Sequence, residues 1–269
     1  MYRTDETGFG DIKVIQKKGY GYGVDAVLVA AFAAGETGAA GIAVSGTEEN
    51  SPAKASDPVR IADLGTDCGI VAFILSHKIP GAFVLGIEKR EEAADRARNA
   101  VLLNGLEDRV SIMTADINEI CNGSSDDLLA SFDAVVSNPP YFRKGSAIPS
   151  SSADRFTARH ETTAGIDGFA RTASAMLRSG GSFYLIHRPD RLADIFTALR
   201  DSGLEPKEMQ MVTMVVMHTA VAMARKPLLL ELPLSSCWAV LWIKMSMVRV
   251  GVLLCMMNIN SRVSLQAPM

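Results

Sequence analysis

An α/β fold, doubly wound on a mostly parallel sheet, is predicted by three features of this 269-residue sequence. Short β-branched runs alternate with runs of helical length. Glycine clusters stand between strand and helix, and successive strands end in polar or acidic residues, at the edge where open α/β sheets bind ligands. An apolar fraction of 48% supports a sizeable core for such a sheet.

Ile12–Gln16 reads as a strand, followed by the glycine-rich turn Lys17-Lys18-Gly19-Tyr20-Gly21-Tyr22-Gly23. Asp25 then stands where a helix N-cap belongs, ahead of the apolar run Ala26–Phe32. Two readings stay open: Asp25 and the glycines border a ligand, or they cap a helix after a flexible turn. Residues 1–34 are therefore taken as a strand-and-helix cap on the site. Residues 35–58, built of Gly, Ala, Ser, Thr and Glu with two prolines, read as a flexible linker or loop.

Residues 59–208 carry the expected ligand-binding domain. Val59–Leu64 is a strand signal, with Asp63 near its end. Gly65-Thr66-Asp67-Cys68-Gly69 follows and opens the apolar helix Ile70–Leu75. Glycines there let backbone N–H groups approach a ligand at a positive helix end. The strand Ala82–Ile87 ends at Glu88, about twenty residues on, a spacing that suits a carboxylate reaching two vicinal ribose hydroxyls. The helix 90–104 carries alternating charges and reads as a solvated face. Val110–Ala115 is a third strand, ending at Asp116, which either accepts a bond from an adenine amine or caps the next short helix. The fourth strand, Phe132–Ser137, stops at Asn138-Pro139-Pro140-Tyr141, because neither proline has an N–H to donate. The prolines stiffen the backbone, so the Asn138 side-chain oxygen and the Pro139 carbonyl form two convergent acceptors for an exocyclic –NH2. Tyr141 offers a flat face to a planar ring. Arg143, Lys144, Arg159 and His160 are the local cations expected to meet a phosphate backbone. Two further helices, 168–177 and 191–201, flank a strand at Ser182–Ile186.

The formal charge of −3 gives no global attraction to nucleic acid. Cys68, Cys121, Cys237 and Cys255 have neither a C-x-x-C spacing nor a zinc-like grouping, so no metal is expected and the compartment reads as reducing and cytoplasmic. The N-terminus lacks the apolar core of a signal peptide. Residues 209–269 change character: ten of the thirteen methionines lie there, and Glu231 is the one acid. Pro227 and Pro233 interrupt its apolar runs, so no membrane span is expected. The segment is expected either to form closing strands, at Met211–Met217 and Leu228–Leu232, or to pack poorly.

The sheet-edge constellation resembles the class I S-adenosylmethionine-dependent methyltransferase fold, Rossmann-like, in its amino-methylating branch. More narrowly, residues 9–208 resemble the bacterial tRNA adenine-N6 methyltransferase family that modifies adenine 37 of valine tRNA. The residues that carry the likeness are Gln16, Gly19–Leu28, Asp63–Thr66, Asn138–Phe142 and Ala158–Glu161. The resemblance implies S-adenosyl-L-methionine as cofactor and tRNA as partner. It also implies Gly65 and Gly69 at the cofactor's amino-acid end, Glu88 on its ribose, Asp116 on its adenine and Asp25 on the near side of that pocket. Asn138, Pro139, Pro140 and Tyr141 would hold the target amine and base. Asp67 stands where the family pattern has glycine, which implies crowding and repulsion of the cofactor's carboxylate. Methylation of a protein glutamine or of a ribosomal-RNA guanine amine remains open, as does a cofactor-binding module without activity.

Overall fold

The structure, a computed structural model, describes residues 1–19, 21–35, 42, 58–121, 126–141, 165–216 and 249–261. The chain begins with an antiparallel hairpin, β1 (Tyr2–Glu6) and β2 (Lys13–Lys17), followed by α1 (Val24–Ala33). The first of these strands had no sequence signal, because its residues are polar and mostly exposed. The hairpin is fastened to the body by Asn104, whose Oδ1 accepts from Lys13 N at 2.8 Å while its Nδ2 donates to Lys13 O at 2.7 Å.

The central sheet is built from β3 (Arg60–Leu64), β4 (Phe83–Glu88), β5 (Val110–Thr114), β6 (Phe132–Ser137), β7 (Leu177–His187), β8 (Leu204–Val216) and β9 (Arg249–Ser261). Their spatial order is β5-β4-β3-β6-β7-β9-β8. The first five are parallel, and β9 runs antiparallel between β7 and β8. The reversal of order beside β3 creates the crevice at which such sheets bind ligands. The intervening helices are α2 (Ile70–Lys78), α3 (Glu91–Leu103), the short α4 (Ile117–Glu119), α5 (Ile166–Met176) and α6 (Leu192–Asp201).

Strand side chains alternate between two cores. Ile61, Val84, Ala134, Val136, Tyr184 and Ile186 pack with α1, α2 and α3 on one face. Ala62, Leu85, Val135, Phe183 and Leu185 pack with α4, α5 and α6 on the other. A strand buried on both faces reads as a continuous apolar run, which is the pattern of β3, β4 and β6. α3 meets the sheet through Ala93, Ala94, Ala97 and Ala100, small residues that allow close approach.

Three sequence expectations change here. β7 begins at Leu177, five residues earlier than expected, because it pairs with β6 from Phe132↔Leu177 onward. The expected division at 208/209 falls inside β8, so the start of the methionine-rich segment continues a sheet strand. Arg96, placed on a solvated helix face, is 12% exposed at its side chain and lies over the Tyr2 ring at 5.7 Å. Leu228–Leu232 and most of 35–58 lie outside the described residues.

Candidate active site

The carboxyl ends of β3, β4 and β6 open onto one cavity of about 410 Å³. Asp63, Gly65, Glu88 and Asn138 line it together, with Asp25, Tyr22 and Gly23 from the start of α1 and Phe169 from α5. Such a volume falls in the range of small-molecule and cofactor sites.

The glycine turn is shaped by backbone demands. Gly65 has φ +76°, and its N–H and that of Thr66 both donate to Ile87 O, at 2.8 and 3.1 Å. Asp63 is 1% exposed and accepts from Thr66 Oγ1 at 2.6 Å; burial pushes its carboxyl up to about 7. Gly69, at φ +85°, is the N-cap of α2, where an added Cβ would stand 2.8 Å from the Phe73 ring. It packs the turn and is not part of the lining.

Asp67 adopts φ +46°, a left-handed position that glycine occupies without strain and that Asp tolerates better than most residues. Its carboxylate is met by Arg90 Nη2 at 2.8 Å and Arg96 Nη2 at 3.3 Å. The negative charge expected to repel a ligand carboxylate is thus offset by two guanidinium groups. Glu88, 6% exposed, accepts from Arg90 N at 2.9 Å, Arg90 Nε at 3.1 Å and Asp67 N at 3.1 Å. A carboxylate has about four lone-pair sites. One remains for an incoming hydroxyl, and a second hydroxyl would take the place of Arg90 Nε.

At the other end, Ser137 Oγ donates to Leu64 O at 2.9 Å and ties the tips of β6 and β3 together. Asn138 and Pro140 face the cavity, while Pro139 is buried behind them. The Tyr141 hydroxyl lies 2.9 Å from Asn138 Oδ1 and also hydrogen-bonds Asp25 Oδ2. The Tyr141 ring stands edge-on to His187, 5.2 Å between centroids at 78°. Burial, with the Asp25 charge behind it, raises the Tyr141 hydroxyl far above the ordinary phenol range, and burial lowers His187 to about 4. Both rings are neutral at physiological pH.

Asp25 is not the N-cap of α1; Gly23 is, and the Asp25 carboxylate is drawn to Tyr141. Gln16 holds the turn in front of it, accepting from Tyr22 N at 2.8 Å and donating to Asp5 Oδ2 at 2.9 Å. Asp116 caps α4, accepting from Asn118 N at 3.0 Å, and pairs with Lys89 Nζ at 2.9 Å. It lies outside the cavity lining. Arg143, Lys144, Arg159 and His160 lie outside the described residues. Tyr22 and Thr66, read only as parts of motifs, line the cavity, as do Arg90 and Phe169, which the sequence did not single out. Arg90, two residues after Glu88, was the most readable of them. Phe169 is too far in sequence from the sheet-edge motifs for any spacing rule to place it. Among the described residues, no group of three or more His, Cys, Asp and Glu is placed to hold a metal ion, and no helix is long and apolar enough to cross a membrane.

The methyltransferase small domain family model matches residues 50–199. The tRNA1(Val) (adenine(37)-N6)-methyltransferase of Porphyromonas gingivalis is 35% identical over 145 residues, which are 53% of this chain and 55% of that protein. The release factor glutamine methyltransferase of Bradyrhizobium diazoefficiens is 34% identical over 115 residues, 43% of this chain and 35% of that one. The chain spans about half the length of the curated tRNA relatives it matches. A SAM-dependent O-methyltransferase of Thermotoga maritima superposes with a TM-score of 0.51 at 15% identity, covering 92% of this chain and 68% of that one; it shares the fold.

Proposed function

The chain belongs to the methyltransferase small domain family, and on that premise we propose that it methylates the exocyclic N6 amine of an adenine in tRNA, using S-adenosyl-L-methionine. The observation that carries this reading is that Asn138 opens into the same cavity as Gly65 and Glu88. An amine clamp and a cofactor cradle that share one hollow suit direct transfer between them.

The residues present fit the cofactor. Asp63 and Glu88 offer carboxylates to a ligand rich in ammonium and hydroxyl donors, and Gly65 leaves backbone open beside the Phe169 ring, 3.6 Å from an added Cβ. When bound, the cofactor supplies an electrophilic methyl group on a positively charged sulfur. The chain's own part is to hold and orient the acceptor. The Asn138 oxygen and the Pro139 carbonyl accept the amine's two N–H groups, which draws its lone pair out of ring conjugation. Tyr141 offers its ring to a base swung out of its neighbours' stack. Arg143, Lys144, Arg159 and His160, cations within one short stretch of sequence, would meet the RNA backbone. A tRNA substrate would place the protein in the cytoplasm.

The test is methyl transfer from labelled cofactor to valine tRNA, with wild type and Asn138→Ala. Wild type labels the tRNA; Asn138→Ala loses about 100-fold in turnover, the scale of one lost preorganised polar contact, and still binds S-adenosylhomocysteine in calorimetry. Equal turnover in both removes Asn138 from the reaction. A second reading, a glutamine side chain of a release factor, is favoured by the Bradyrhizobium relative, because an amide –NH2 fits the same clamp. Release factor and ribosomes therefore run as parallel acceptors.

A further inference from the structure

Tyr141 and Asp25 are 116 residues apart in sequence and joined by one hydrogen bond. Tyr141 has a single hydroxyl proton and two oxygens within reach, Asp25 Oδ2 and Asn138 Oδ1. The anionic oxygen takes it, since a bond to an ionised acceptor is roughly twice as strong as a neutral one. The phenol does not ionise, because burial and the neighbouring carboxylate both oppose it. Its oxygen is then left as an acceptor facing the Asn138 amide. The O and N of an amide are isosteric, and a half-turn about the last side-chain bond exchanges them. With that half-turn Asn138 donates Nδ2–H to Tyr141, and its carbonyl oxygen is released for a donor in the cavity.

We propose that Asp25 is a positioning residue for amine methylation: by holding the Tyr141 proton, it commits Asn138 to present an oxygen, and not an N–H, to the target. This rests on the amine-transfer reading above. It moves Asp25 from the cofactor's pocket wall, where the sequence put it, to the acceptor clamp. A second observation supports the placement. Gly23 has φ −80°, which any residue adopts, so its need for glycine is spatial: a Cβ there would collide with the Asp25 carboxylate. The turn is cut to let that carboxylate fold back over it. The Asp25 Oδ1 atom is held by Ala26 N at 3.1 Å, which leaves Oδ2 for Tyr141.

The experiment compares wild type, Asp25→Asn, Tyr141→Phe and the double variant. It reads turnover at saturating acceptor, S-adenosylhomocysteine affinity by calorimetry, and the carbon-13 resonance of the Tyr141 Cζ, assigned by its loss in Tyr141→Phe. In Asp25→Asn the proton returns to Asn138 and blocks the acceptor oxygen. Turnover is expected to fall at least tenfold, with affinity for the cofactor product within twofold of wild type. The same substitution is expected to change little in the Tyr141→Phe background, and the Cζ resonance is expected to move in Asp25→Asn. An equal loss in both backgrounds overturns the relay, and so does a loss of cofactor-product affinity that matches the loss of turnover. A Cζ resonance that stays in place overturns it whether or not any acceptor is labelled. Failure of wild type to label tRNA, release factor or ribosomes, with Cζ still moving, overturns the amine-transfer reading and leaves the bond to Asp25 standing.

Discussion

Asp63 is held in an environment that its ionised side chain disfavours. It is almost wholly buried, its one side-chain partner is a neutral hydroxyl, and the nearby Glu88 charge opposes its ionisation further. Its carboxyl therefore titrates at about 7 in the folded chain against roughly 3.9 in an unfolded one. Between those values the folded state holds a proton that the unfolded state has lost. Stability is thus highest, as far as Asp63 is concerned, below about pH 4, and is lost as pH climbs through about 7. At 1.36 kcal/mol per pKa unit the full penalty is on the order of 4 kcal/mol. The ligand-free protein is expected to melt at lower temperature at pH 8 than at pH 5. Asp63→Asn, which keeps an acceptor for Thr66, is expected to flatten that slope. Parallel melting curves for the two proteins across this range would assign the pH dependence elsewhere. A bound ammonium group beside Asp63 would reverse the shift, so cofactor binding near pH 6.5 is expected to release protons. Calorimetry in buffers of different ionisation enthalpy reads that release directly.

Among elements, the contact that sets the cofactor end is the one between β4 and the glycine turn. Gly86 sits in mid-strand, where glycine normally weakens a sheet. An added Cβ would stand 2.8 Å from Ile112 Cδ1 and 2.9 Å from both Thr66 Cγ2 and Thr66 Oγ1. Because Thr66 Oγ1 holds Asp63, a push at Gly86 reaches the cavity floor. Gly86→Ala is expected to cost about 1–3 kcal/mol, the usual range for overpacking, and to weaken S-adenosylhomocysteine binding too. A denaturant midpoint and a binding constant that both stay at wild-type values would show that the strand yields instead. This contact was not legible in the sequence, since Gly86 reads there as one more residue of an apolar strand. What was legible follows one rule. Strands buried on both faces announce themselves as apolar runs, and what lies just past them opens onto the cavity, which Gly65, Glu88 and Asn138 line together. Asp116 follows the same rule and still lies outside the cavity, because a carboxylate before a short helix finds its nearest donors in Asn118 and Lys89. Asp25 and Tyr141 meet only through the tertiary fold, and no spacing encodes that.

At the scale of the whole molecule, the question is how the parallel sheet ends. β7 would be an edge strand without β9, and exposed edges recruit further chains. β9 covers it in antiparallel register from Ser182↔Asn260 to His187↔Cys255, and β8 pairs with β9 along most of its length. The last of those β7 pairs matters for the site, because His187 carries the ring that meets Tyr141 edge-on. Sheet closure and the Asn138–Tyr141 pair are therefore linked through the carboxyl tip of β7. Half of this closure was legible: Met211–Met217 reads as a closing strand and β8 runs through Val216, whereas the apolar run Val250–Met257 of β9 has none of the polar alternation that marks a half-buried strand. The pairing has a direct consequence in hydrogen exchange. Amides of β9 opposite Ser182–His187 are expected to exchange as slowly as those of β7, because the two share the same ladder bonds and open together. If β9 exchanges within seconds while β7 stays protected by β6 alone, the sheet ends at β7 in solution. The Tyr141–His187 contact would then rest on five parallel strands and no antiparallel cover.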